Sequence, residues 1–348
     1  RWEPLVEVTQ TKGDGESHPL LSPDDDFADF ETWDMGNLDV SEAKTPDMLP
    51  GEYARSALKR GLELEASQGI NPYKFGMIGS TDTHTALSTN AENNFFGKMT
   101  PKEPRPGRTT GIEKQNRELG IKRANWQTVA AGITAVWAKD NTRAEIFDAM
   151  QRKETFATTG PRIRVRFFGG FDFAPEDARS RQPAALGYRK GVPMGGDLAA
   201  DPEGRAPSFL VAAMKDPQSG NLDRIQIVKG WLDEKGKAQE KVYDAAWSDA
   251  DRREVDRKGT LTAVGNTVDA AAATWTNTIG EAELISVWKD PDFDPSVKAF
   301  YYDRVIEIPT PRWTTYDAAR FAEKIPEGAP ISIQERAYTS PIWYTPAN

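Results

Sequence analysis

The hydrophobic pattern changes near residue 162, and this change limits the chain to a two-part architecture. Before it, residues 51–68 repeat apolar side chains at a helical period, and residues 73–79 form the short apolar run of a buried strand. A helix followed by a strand predicts an α/β unit. After it, segments such as residues 162–167 alternate charged and apolar side chains between Gly, Pro and Asp clusters. That pattern is typical of a β-sandwich.

The length supports the same division. A chain of 348 residues exceeds the size at which one hydrophobic core usually stays single. A capping box at Thr142 and Glu145 opens a predicted helix over residues 142–153, which closes the first part. A second short helix is predicted over residues 316–322. We therefore expect domains at residues 1–160 and 161–348.

Composition excludes several classes of protein. The net charge of −9 argues against a nucleic-acid partner, because no basic excess is present to neutralise phosphates. No apolar run approaches the length of a membrane helix, so we expect no membrane span. Cysteine is absent, so disulfides and thiolate metal sites are impossible. A metal ion would have to be held by His, carboxylate, carbonyl or water.

Asp82 and His84 are the first candidates for a functional site. They follow the predicted strand over residues 73–79, and side chains two apart in an extended segment point the same way. A carboxylate and an imidazole suit Zn²⁺, Mn²⁺ or Fe. The alternative is a capped turn without a metal, which explains the same residues equally well.

Three further residues are weaker candidates. Glu16 and His18 lie in a Gly-rich loop after the first predicted strand, and His18 is the only other histidine. A surface carboxylate and a solvated loop histidine are the simpler interpretations. Arg162 follows a tight turn and has the charge to face a substrate anion, although a solvated sheet face also explains it. The chain has no serine-hydrolase elbow, P-loop or dinucleotide fingerprint.

A longer run supports a family resemblance. Residues 71–84, Asn-Pro-Tyr-Lys-Phe-Gly-Met-Ile-Gly-Ser-Thr-Asp-Thr-His, resemble a bacterial family known as domain of unknown function 3604. That family is related to the PHP (polymerase and histidinol phosphatase) superfamily of metal-dependent hydrolases. Four later segments agree with the resemblance: residues 132–138, 156–163, 223–231 and 336–343.

The resemblance implies a fold and a chemistry. The fold would be α/β barrel-like, a distorted TIM-like barrel that is here partial, followed by a β-sandwich-like domain. The site would hold two or three divalent metal ions, and a metal-bound hydroxide would attack an ester, commonly a phosphoester. Asp82 and His84 match the final Asp-x-His ligand pair. Glu16 and His18 become candidate metal ligands, and Glu16 also a candidate catalytic residue.

The family's opening His-x-His motif is expected upstream of this sequence. We therefore expect the chain to be a C-terminal portion whose missing N-terminal segment supplies the other ligands, and to be inactive alone. The expected substrate is a small anionic ester, with Arg162 as its candidate contact; carboxylic, sulfate or amide substrates stay open. The alternative function is a non-catalytic binding or surface protein with a degenerate metal site. We expect a periplasmic or secreted location rather than a cytoplasmic one.

Overall fold

The computed structural model describes residues 2–130, 132–257 and 259–347, and β-strands dominate it. The strands in chain order are β1 (Leu5–Gln10), β2 (Gly13–Asp14), β3 (Gly76–Gly79), β4 (Ile112–Asn116), β5 (Ile121–Ala124), β6 (Ile133–Val136), β7 (Thr155–Thr158), β8 (Arg164–Gly170), β9 (Gly191–Pro193), β10 (Asp197–Ala199), β11 (Ser208–Met214), β12 (Leu222–Leu232), β13 (Ala238–Trp247), β14 (Glu283–Lys289), β15 (Ala299–Glu307), β16 (Thr310–Pro311), β17 (Ser332–Ile333), β18 (Arg336–Thr339) and β19 (Ile342–Thr345). The α-helices of the described residues are α1 (Ala54–Gln68), α2 (Arg143–Gln151), α3 (Pro183–Lys190) and α4 (Trp313–Phe321).

The helices begin and end where local signals place them. Helix α1 ends at Gly69, which adopts the left-handed conformation with φ of 75° that glycine tolerates best. Helix α2 begins after Thr142, whose Oγ1 accepts a hydrogen bond from the backbone N of Glu145 at 3.3 Å. Helix α4 begins at Trp313, three residues earlier than predicted.

An eight-stranded sheet forms the centre of the molecule and curls into half a barrel. Its main path runs β10-β19-β15-β18-β7-β6, and β12 and β13 extend it from β15. Successive side chains of β15 point to opposite faces, as the pleat of a strand requires. Ala299 and Tyr301 pack into one core, and Phe300 and Tyr302 pack into another. The sheet is therefore buried on both faces.

A four-stranded sheet covers one of these faces. It has the order β14-β11-β8-β9, with antiparallel pairing throughout. Val165 and Phe167 of β8 point inward with Phe209 of β11, and each of the three is fully buried. The alternation that the sequence showed over residues 162–167 is the pattern of this strand.

Helix α1 and a small sheet cover the opposite face. The small sheet has the order β2-β1-β3, and β1 and β3 run parallel on either side of α1 in the chain. Leu58 and Leu62 of α1 are fully buried against Phe300 and Tyr302. The helix and strand predicted over residues 51–79 thus form a parallel β1–α1–β3 unit with the first strand, which places the end of β3 beside the end of β1.

The predicted fold class, a partial PHP-type TIM-like α/β barrel followed by a β-sandwich-like domain, is wrong. A TIM-like barrel needs many successive parallel strand–helix units, and β1–α1–β3 does not repeat in the described residues. Strands β6 and β7, which lie within the predicted barrel domain of residues 1–160, instead pair antiparallel with each other and belong to the central sheet. That sheet contains strands from both sides of residue 160, and the division at that residue stays a prediction.

Among the described residues, no helix has both the length and the apolar character needed to cross a membrane.

Candidate functional site

Asp82 and His84 lie in the loop that follows β3. The backbone N of Ser80 donates to the carbonyl oxygen of Thr9, which keeps the loop close to the end of β1. The backbone N of His84 donates to the carbonyl oxygen of Lys98 at 2.8 Å. With this anchoring, His84 Nε2 lies 3.2 Å from Asp82 Oδ1. The two side chains therefore meet in the structure.

The backbone of Asp82 is unusual. Its φ of 49° lies in the left-handed region, where non-glycine residues are uncommon and Asp is among the better tolerated. Such conformations persist where the surrounding structure holds them and cluster at functional sites. The imidazole of His84 is half exposed, so solvent and small molecules reach it.

Two lysines complete the surroundings of Asp82. Lys12, in the turn between β1 and β2, and Lys98 both donate from Nζ to Asp82 Oδ2, Lys98 at 2.7 Å. Burial alone would raise the pKa of Asp82, but the hydrogen bonds from the two lysines outweigh burial and lower that pKa. Burial also lowers the pKa of Lys12, against the opposing effect of Asp82. The carboxylate of Asp82 is thus paired with the two ammonium groups of Lys12 and Lys98.

The sequence reading missed both lysines. A signal for Lys12 was present, because parallel neighbouring strands end at the same edge of a sheet and Lys12 follows β1 as Asp82 follows β3. Lys98 lies in an irregular segment whose path no local pattern reveals.

Glu16 is buried in an ion-pair cluster beneath α1. Its Oε1 accepts from Arg55 Nε at 2.9 Å, its Oε2 from Arg304 Nη1 at 3.2 Å, and Tyr302 also donates its hydroxyl to Oε1. Asp25 binds the same two arginines at 2.8 and 2.6 Å. Burial would raise the pKa of Asp25, but the Arg304 and Arg55 guanidinium groups outweigh it and hold that pKa well below its usual range. All of these contacts stabilise the fold.

His18 is buried near the same cluster. Its Nδ1 accepts a hydrogen bond from the backbone N of Leu20 at 3.1 Å, which leaves Nε2 to carry the proton and face Asp34 Oδ2 at 3.3 Å. The ring also packs against Tyr53, with centroids 5.2 Å apart. Both ring nitrogens are therefore already engaged by protein groups.

Arg162 lies at the mouth of a cleft of about 690 Å³, bounded by β6, β7, β8 and α4. Its side chain is exposed, and its backbone N donates to Asp216 Oδ2 at 2.8 Å. Neither Asp82 nor His84 is among the residues that line this cleft.

The Asp82–His84 pair fits part of a metal site. Zinc binds His nitrogen and carboxylate oxygen at about 2.0–2.2 Å, so neighbouring donors of a tetrahedral site lie roughly 3.3 Å apart. The observed 3.2 Å between Asp82 Oδ1 and His84 Nε2 is close to that spacing. Within the described residues, no group of three or more His, Cys, Asp or Glu side chains is placed to hold a metal ion. The pair supplies two ligands, and the structure does not bring Glu16 or His18 to it.

Comparison with known proteins gives a family and nothing finer. No curated protein and no solved structure matches the chain. A family model described as "Protein of unknown function (DUF3604)" matches residues 1–346, nearly the whole chain. The protein therefore belongs to the DUF3604 family.

Proposed function

We propose that the protein is part of a metal-dependent hydrolase of small anionic esters, phosphoesterase-like, with Asp82 and His84 as metal ligands. The observation that supports this most is the approach of Asp82 Oδ1 and His84 Nε2 to 3.2 Å in a solvent-accessible loop. A divalent ion such as Zn²⁺, Mn²⁺ or Fe²⁺ would lower the pKa of bound water toward about 7 and so supply a hydroxide nucleophile.

The chain's own residues have distinct roles in this proposal. Asp82 Oδ1 and His84 Nε2 would be the two donor atoms that this chain offers to the ion, and their contact in the structure holds them at the spacing of neighbouring ligands. Lys12 and Lys98 place two ammonium groups beside the same carboxylate. The net charge of −9 gives the chain no general attraction for anions, so an anionic substrate needs local cations. The two ammonium groups would bind the anionic oxygens of a phosphoester.

A third ligand is needed, because a catalytic zinc site usually has three protein ligands. Glu16 and His18 already have protein partners, so we propose that the remaining ligands come from a further segment of the same protein. The chemistry would then be that of the PHP superfamily, with this chain as the C-terminal portion. The proposed location is periplasmic or secreted.

A second candidate function rests on a different observation. Both lysines bind Asp82 Oδ2, and two cations so close to a carboxylate oppose the approach of a metal ion. If these contacts persist in solution, the loop is a stable salt-bridged turn. The protein would then be a non-catalytic binding or surface protein with a degenerate metal site.

Metal analysis with a phosphoesterase assay tests the proposal. The 348-residue chain and a form extended at its N-terminus are loaded with Zn²⁺, Mn²⁺ or Fe²⁺, and metal content is measured by plasma mass spectrometry. Hydrolysis of p-nitrophenyl phosphate is followed in parallel. We expect activity from the extended form alone, and at least a tenfold loss of metal affinity in Asp82→Asn and His84→Gln.

The control is Asp26→Asn, since Asp26 is exposed and has no side-chain partner among the described residues. It should leave metal content and activity unchanged. An extended form that hydrolyses the ester equally well with Asp82→Asn would contradict the proposal. Absence of bound metal from both forms would favour the binding protein.

A further inference from the structure

The cleft beside Arg162 has the size and lining of a ligand site. Its volume of about 690 Å³ lies within the roughly 300–1,000 Å³ typical of small-molecule pockets. It opens between the edge of the central sheet, at β6 and β7, and the start of β8, with α4 across one end. Because Asp82 and His84 do not line it, a ligand here is independent of the proposed metal site.

The floor of the cleft carries a polar group without a protein partner. Thr158 is fully buried, and its Oγ1 has no hydrogen-bond partner. The carboxyl of Glu92 lies beside it on the floor and interacts with the carboxyl of Glu335. Both residues line the cleft. Leaving a buried polar atom unpaired costs about 1–3 kcal/mol, so such atoms usually have a partner that the protein itself does not supply.

Two carboxyl groups on the floor hold their protons at neutral pH. Burial raises the pKa of Glu92 to about 8. Burial, followed by repulsion from Glu92, raises the pKa of Glu335 well above its usual range. A protonated carboxyl group donates one hydrogen bond and accepts others. The floor therefore both donates and accepts, which suits hydroxyl groups.

The mouth of the cleft carries the charge. Arg162 and Arg164 are exposed, and neither guanidinium is within ion-pair distance of a carboxylate among the described residues. Both arginines line the cleft, and the buried side chain of Ile163 between them lines it too. Asp216 adds one negative charge, so the mouth has a net charge of about +1 and matches a monoanion.

Aromatic side chains form part of the wall. Trp275 and Tyr316 line the cleft and are only half buried. Flat aromatic surface with a polar edge binds the apolar face of a ring while leaving its substituents free to hydrogen-bond. Trp137 contributes less, because the Arg166 guanidinium stacks 3.3 Å from its ring centroid.

We propose that this cleft binds an acidic sugar, a hydroxylated ring that carries one carboxylate. The floor carboxyls and Thr158 bind the ring hydroxyls. Arg162 and Arg164 bind the carboxylate, whose two oxygens match the fork of a guanidinium group. Trp275 and Tyr316 cover the ring.

Calorimetric titration of the 348-residue chain at pH 6.5 tests this proposal. The probes are galacturonic acid, its neutral counterpart galactose, glucose 6-phosphate and inorganic phosphate. We expect saturable binding of galacturonic acid and at least tenfold weaker binding of the other three. In the double variant Arg162→Gln/Arg164→Gln, affinity for galacturonic acid should fall at least tenfold. Trp275→Ala should weaken the same binding by removing the wall.

The matched control is Arg181→Gln, an exposed arginine outside the cleft, which should bind as the wild type does. Thermal melts of each variant show whether the fold is retained, and the two arginines are exposed, so their replacement should leave the melt unchanged. No saturable binding of galacturonic acid would overturn the proposal. Equal binding of inorganic phosphate, or an undiminished affinity in the double variant, would also overturn it.

Discussion

Replacing Glu16 by Gln separates its structural role from its predicted catalytic one. In the structure, Glu16, Asp25 and Glu240 pair with the buried guanidinium groups of Arg55 and Arg304, and Lys59 pairs with Glu240. Three carboxylates thus face three cations, and the substitution leaves the cluster with a net charge of +1. Losing one partner of a buried pair typically costs roughly 3–5 kcal/mol. Because Gln keeps a carbonyl oxygen for Arg55, we expect about 3 kcal/mol, at the low end.

Urea unfolding at pH 7, followed by tryptophan fluorescence and far-ultraviolet circular dichroism, measures this change. The midpoint should fall while the slope with urea stays constant, since the surface exposed on unfolding does not change. Glu42→Gln is the matched control, because Glu42 is exposed and has no side-chain partner among the described residues. Its effect should stay within about 0.5 kcal/mol.

The result that refutes this reasoning is specific. A carboxylate that serves only as a metal ligand does not need to stabilise the metal-free fold. Suppose that Glu16→Gln changed the unfolding free energy of the metal-free protein by less than about 1 kcal/mol and abolished metal binding. The contacts of Glu16 in the buried cluster would then contribute little to the stability of the fold. Glu16 would then be the site residue that the family resemblance implied.

Two further changes test the core. Burial raises the pKa of Glu307 to about 8. Because the pKa of Glu307 is higher in the folded than in the unfolded protein, the free energy of unfolding is greatest when the pH lies below the pKa of the unfolded state. This stability is lost as the pH rises through the pKa of the folded state. Between pH 6 and 9 ionisation of Glu307 should therefore cost about 2–3 kcal/mol. Burial raises the pKa of Glu92 to about 8 as well, so Glu307→Gln should keep part of the fall and lose only the share of Glu307. Urea unfolding of exposed Glu327→Gln should show the whole fall. Gly230→Ala places a methyl group against the ring of Phe300, so its unfolding free energy should drop by about 1–3 kcal/mol. Gly51→Ala, with open space around it, should show no such loss.

Local signals in the sequence predicted the local structure. The period of residues 51–68 identified α1, and the capping box identified the start of α2 at Thr142. Each signal involves residues within a few turns of each other, so no distant contact is needed to read it. The hydroxyl of Thr142 and the backbone N of Glu145 show this directly.

The fold class failed because it depends on pairings between distant residues. Strand β7 pairs with β18, so that Thr158 lies opposite Ala337. Nothing in the pattern of residues 155–158 distinguishes this antiparallel partner from the parallel neighbours of a barrel. The barrel was implied by the family resemblance, whereas the β1–α1–β3 unit determines only the pairing of β1 with β3.

The candidate site was likewise predictable only where it depends on residues that are close in sequence. Asp82 and His84 lie together as expected, but Asp82 adopts the left-handed conformation, so the extended geometry that the spacing assumed is not what joins their side chains. For Glu16 the partners are Arg55, Tyr302 and Arg304, which are remote in sequence. A buried ion pair and a metal ligand look alike in sequence, because both require a carboxylate near other charged groups.

The energies of these contacts decide where a third metal ligand would come from. Moving Glu16 to the Asp82–His84 pair would break its contacts with Arg55 and Arg304, at a cost of roughly 3–5 kcal/mol. Structural zinc sites gain about 10–16 kcal/mol on binding, so only a tightly held ion could offset that cost. A ligand from another segment carries no such cost, because it leaves the buried cluster intact. Metal binding should therefore leave the stability loss of Glu16→Gln unchanged, and a loss that disappears on metal loading would place Glu16 in the site.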